Sequence, residues 1–163
     1  MSKVSKIASA ALPPAELYER DYYTWTQEQA RALRERRIEE LDWTNVAEEI
    51  EDLGKREKRA LRSQLVRLLG HLLKFAFARE VMWSNNSRGW ELSIRGARRE
   101  ASMYLDENPG LRPHVEQIFR SAYESARLEV LKALRLPDSA IPETAPWNLD
   151  QIIDDAFLPK RNF

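Results

Sequence analysis

"NVAEEIEDLGKREKRALRSQLVRLLGHLLKFAFAR", residues 45–79, contains no proline and repeats its apolar residues at steps of three and four. That spacing predicts a long amphipathic helix, and Asn45 with Glu48 three residues later makes a capping box to open it. At about 100° per residue, Val46, Ile50 and Leu53 share a narrow arc. Glu48 and Asp52 stand nearly opposite that arc, with Glu49 and Glu51 to either side. The four carboxylates therefore spread over a solvated face, where negative charge also suits the helix N-terminus. They do not converge as metal ligands would. The chain has only two histidines, His71 and His114, and neither follows Glu-x-x-His or His-Glu-x-x-His spacing. No metal site is expected.

Outward from this helix the same punctuation recurs. Thr26 with Gln29 predicts a helix from 26 to about 41. "SNNSRG" (84–89) reads as a turn, with Ser87 capping a helix to about 107. Asn108-Pro109 predicts another from there to about 136, proline suiting the first helical position. A short helix is expected at 14–20, and Asn148 opens a short turn-rich segment. No stretch alternates long enough to predict a strand. The expected fold is all-α: an antiparallel bundle of four main helices, with short flanking helices and an extended, proline-containing arm. Residues 1–163 read as one helical domain. Residues 1–13 read as a flexible tail, and residues 136–163 as a C-terminal arm packed on the bundle.

Composition narrows function mainly by exclusion. Twenty-six basic residues balance 26 acidic ones, so there is no global attraction to nucleic acid or anionic membranes. The absence of cysteine removes disulfides, thiolate metal sites and cysteine nucleophiles, and suits a reducing cytoplasm. The most apolar window, 65–83, carries Arg67, His71, Lys74 and Arg79, a charge density unsuited to hydrocarbon. Ser87 has no adjacent base and no glycine loop cradles a phosphate, so no cofactor is expected.

Two constellations remain. Continuing the arc of Val46, Ile50 and Leu53 along the helix brings Glu57, Gln64 and His71 to the inward side, one heptad apart. Successive members are about 10 Å apart along the axis and need partners on other helices. An unpaired buried polar group costs about 1–3 kcal/mol. Arg37 and Arg98 are the candidate partners of Glu57; Tyr104 and Tyr123 are those of Gln64 or His71. The ladder either fixes helix register or lines a pocket able to transfer protons or bind a small anion. In the second constellation, Arg88, Arg95 and Arg99 form a stripe that can meet phosphates, though Glu91 and Glu100 interrupt it. The five tryptophans stand mostly near helix ends, as corner packing.

Five blocks occur in order: "LDWTNVAEEIEDLGKREKRAL", "LLGHLLKF", "SRGWELSIRGARRE", "NPGLRPHVEQIFRSAYESAR" and "IPETAPWNLDQIIDDAFLP". Together they resemble the bacterial family called domain of unknown function 29, common in cyanobacteria and proteobacteria. The resemblance runs from about Tyr18 to Pro159. Glu57, His71, Lys74, Trp90, Ile94 and Arg98 match positions of that family's pattern. It implies a helical fold and leaves activity open. The leading expectation is a small cytoplasmic module that binds another protein or itself, without membrane attachment. Nucleic-acid binding through the arginine stripe and a pocket at Glu57 and His71 are the alternatives.

Overall fold

The computed structural model describes residues 13–162; the expected tail therefore lies almost wholly outside the described residues. Among these the chain is all-α, with no strand. Its helices are α1 (Pro14–Arg20), α2 (Tyr22–Arg34), α3 (Trp43–Phe77), α4 (Glu80–Glu107), α5 (Val115–Leu134) and α6 (Leu149–Ile153). Short 3-10 turns occupy Ile38–Glu40, Pro109–His114 and Asp138–Ala140.

Several helix limits differ from the sequence expectation, each for a local reason. Asp21, not Thr26, caps α2: its carboxylate accepts from the Thr24 N–H at 3.1 Å and the Thr24 hydroxyl at 2.6 Å. The helix ends at Arg34, and Arg36 just beyond has φ 56°, a left-handed conformation no helix continues through. Asp42 accepts from the backbone N–H and side-chain amide of Asn45, so Asn45 sits inside α3. The predicted turn at 84–89 is helical. Its polar residues are absorbed there, Ser84 donating to the Glu80 carbonyl at 2.9 Å and Asn86 to the Met82 carbonyl at 2.8 Å. The real break is at Ala78–Arg79. Beyond Asn108 the chain forms a 3-10 turn, and Pro113 disfavours an α conformation at Arg112, which delays α5 to Val115. The Asn148 cap is a complete capping box with Gln151.

The chain divides into two compact units, with the division at Lys55–Arg56 inside α3. In the first, Tyr18 meets Trp25 edge-on at 4.8 Å and Tyr22 stacks on it at 5.8 Å. Both tyrosine hydroxyls donate to Glu49, at 2.9 and 2.6 Å. Buried Gln29 ties down the next turn, accepting from the Asp42 N–H and donating to the Glu40 carbonyl. Among its described residues, Leu17, Trp25 and Ala32 are the buried apolar ones.

The second unit holds the large core. Leu61, Leu65, Leu68, Leu69 and Leu72 of α3 are sealed with Ile94, Ala97 and Ala101 of α4 and Ala122, Ala126 and Val130 of α5. Alanines opposite leucines let helices approach closely while filling the space between them. Tyr104 reaches Glu57 and Arg67 pairs with Glu100, so α4 returns antiparallel to α3. The residues after α5 are held by three buried side chains described below. The last described residues reach α3 and α4, where the Asn162 N–H donates to the Ala76 carbonyl and Arg161 stacks over Trp83.

Candidate functional site

The expected polar ladder does not assemble. Glu57 is exposed, not inward, and accepts a hydrogen bond from the Tyr104 hydroxyl. Burial first, and then the Glu57 carboxylate, push the Tyr104 phenol up to about 12. Gln64 and His71 are half-buried. The His71 Nδ1 is sealed without a hydrogen-bond partner among the described residues. Partial burial, then the Lys74 and Arg67 charges, hold its pKa below the ordinary imidazole range. Arg37 pairs with Glu35 and Glu40 in its own turn instead of with Glu57.

Arg98 is fully buried, but its partner is not a carboxylate. Its guanidinium donates to three backbone carbonyls of the C-terminal segment: Ile152 at 2.8 Å, Asp155 at 3.2 Å and Phe157 at 2.7 Å. Burial lowers its pKa, opposed by the charges of Asp155 and Asp154. Arg127 does the same job farther up, donating to the carbonyls of Ile141 and Asp138 and pairing with the Asp138 carboxylate at 3.0 Å. Tyr123, expected to serve Gln64 or His71, donates to the Pro142 carbonyl at 2.6 Å. The planar fork of arginine suits this work, presenting several donors to an irregular backbone. Arg127 and Tyr123 were missed as anchors; the available signal was an arginine between the apolar residues of α5.

The acidic cluster disperses. Glu49 is turned to Tyr18 and Tyr22, Asp52 to Lys55, and Glu48 and Glu51 face outward. No group of three or more His, Asp or Glu side chains among the described residues is arranged to hold a metal ion. On α4, Arg88, Arg95 and Arg99 are exposed and fall within about 40° of one another around the axis. A cavity of about 430 Å³ is lined by Leu105, Val115, Leu149 and Ile153 together with Asp106 and Arg112. Neither Glu57 nor His71 lines it.

The apolar surface is distributed unevenly. Residues 22–53 expose Tyr22, Tyr23, Leu33, Ile38, Trp43, Ile50 and Leu53, against three buried apolar residues among the described residues of the same unit. Ile50 is 62% exposed and Leu53 55% exposed, where the periodicity predicted an inward stripe. Trp43 is exposed as well, so it is not corner packing.

The model of the family described as "Domain of unknown function DUF29" matches residues 17–158. The chain belongs to that family. No curated protein and no solved structure matches it. DUF29 membership assigns no reaction. Within this DUF29 chain, no described helix is long and apolar enough to cross a membrane.

Proposed function

We propose that this DUF29 protein is an assembly module: a helical protein of a reducing compartment such as the cytoplasm that acts by binding a protein surface. One observation supports the reading above the rest. Among its described residues, the unit ending at Lys55 exposes more large apolar side chains than it buries, with Ile50 and Leu53 on one arc of a regular helix. Apolar surface concentrated in this way is typical of interaction sites, whereas single scattered residues are not. The test is recovery of bound proteins from the native host under three conditions: wild type, Ile50→Glu with Leu53→Glu, and Arg95→Ala with Arg99→Ala. Proteins retained by the wild type and the arginine variant but lost by the Ile50/Leu53 variant support the reading. Identical sets from all three, together with a wild type that is monomeric at every concentration, refute it.

A second reading, binding of nucleic acid, rests on the arginine alignment of α4. Arg88, Arg95 and Arg99 cover about 16 Å of helix, and none is in an ion pair among the described residues. It predicts retention on heparin that falls steeply with salt and is lost in the Arg95/Arg99 variant. Equal retention of both proteins at low salt ends it.

A further inference from the structure

The exposed arc of α3 carries, in one helical stretch, the parts of a self-complementary contact. Ile50 and Leu53 stand out from the helix, and Gly54 lies beside them. A side chain added at Gly54 would meet nothing within 4 Å. Glycine is a poor residue for a helix interior, and nothing among the described residues approaches this one closely enough to require it. A helix from outside would use the space.

Charge says which helix. Glu51 and Lys58 lie on the same flank of the arc, about 20° apart around the axis. They are seven residues apart, about 10 Å along one helix, too far to pair within a copy. Neither is in an ion pair among the described residues. Laid antiparallel against an identical helix with the dyad near Gly54, Glu51 of each copy comes opposite Lys58 of the other. Leu53 of each copy then lies within about 3 Å along the axis of its partner's Gly54, a large residue beside a small one. A parallel pairing would instead carry this flank of the two copies to opposite sides of the seam, where Glu51 and Lys58 could not meet. Only the antiparallel arrangement brings the opposite charges together, so orientation is specified.

We propose that the chain forms a two-fold symmetric homodimer through antiparallel α3 helices, with Leu53 beside the partner's Gly54 and two Glu51–Lys58 pairs flanking the dyad. The symmetry makes the contact isologous and closed, so association stops at two. This rests on the assembly reading and names the partner.

The test is mass against concentration for the full-length protein by sedimentation. The wild type should pass from 19.1 kDa toward twice that mass. Glu51→Lys alone and Lys58→Glu alone should each weaken dimerisation by about tenfold or more, because each places two like-charge pairs at the dyad. The double variant should return to within about threefold of wild type. Mixing the two single variants should give a heterodimer, since both of its pairs are then of opposite sign. A wild type monomeric at every concentration overturns the proposal. So does a dimer insensitive to the single changes, or one that neither the double variant nor mixing restores. If the wild type is monomeric but still loses protein partners on Ile50→Glu with Leu53→Glu, self-pairing falls and the assembly reading stands.

Discussion

The guanidinium of Arg98 donates to the backbone carbonyl of Phe157 at 2.7 Å, so a side chain of α4 grips the chain 59 residues later by its main chain. The same side chain also holds Ile152 and Asp155. Because the acceptors are carbonyls, the grip does not depend on which side chains the segment carries. Arg98→Met leaves these acceptors without their donor and should cost about 3 kcal/mol, an unsatisfied buried acceptor being worth about 1–3 kcal/mol. Arg98→Lys should recover only part of this, since one ammonium cannot reproduce the fork. The denaturant midpoint at unchanged slope measures both. Equal stability of Arg98→Met and wild type would contradict the anchoring role.

Tyr123 makes a smaller anchor through its single bond to the Pro142 carbonyl. Tyr123→Phe keeps the ring and removes the hydroxyl, and should lower stability by about 1 kcal/mol without altering helical circular dichroism. A loss several times larger would mean that the ring's surroundings also reorganise.

His71 gives the protein an acid-sensitive element. Its folded pKa is depressed, so the unfolded chain binds the proton more tightly. Its contribution to stability is thus intact above the unfolded value of about 6.5 and declines as pH falls below it. His71→Gln should flatten the stability profile between about pH 6.5 and pH 5 relative to wild type. Parallel profiles across that window would remove His71 from the explanation.

Glu57 is exposed and is paired with no arginine among the described residues, so Glu57→Ala should cost less than about 1 kcal/mol. Its effect should appear on Tyr104 instead. Glu57→Gln removes the charge that, after burial, holds that phenol up at about 12. One phenol should then titrate at lower pH, stopping short of the ordinary value near 10 because burial remains. Phenolate absorbance measured against pH, wild type beside variant, resolves the change.

Glu57 also shows where sequence periodicity stops informing. It lies on the same arc as buried Leu61 and Leu68, yet it faces solvent, as do Ile50 and Leu53. Helical phase says which residues share a side of α3. It does not say over which part of its length that side is covered, because the cover comes from α4 and α5, whose placement is set by other residues. Arg98 illustrates the complementary case. The sequence offered it Glu57 as a partner, whereas the folded chain buries it and supplies main-chain acceptors. That the acceptors are the carbonyls of residues 152, 155 and 157 could not be read, since every residue has a carbonyl and none is marked.

By itself the sequence determined the all-α class, the helical continuity from Asn45 into the leucine-rich core, the dispersal of the acidic cluster and the Asn148 cap. These are properties of neighbours within a turn or two, set by propensity, spacing and local hydrogen bonds. Only the tertiary structure decided which stretch of α3 is bare, that 84–89 continues a helix, and that arginines and a tyrosine hold the C-terminal segment. These depend on what distant residues present to one another, and a backbone acceptor or an uncovered surface leaves no mark in residue type.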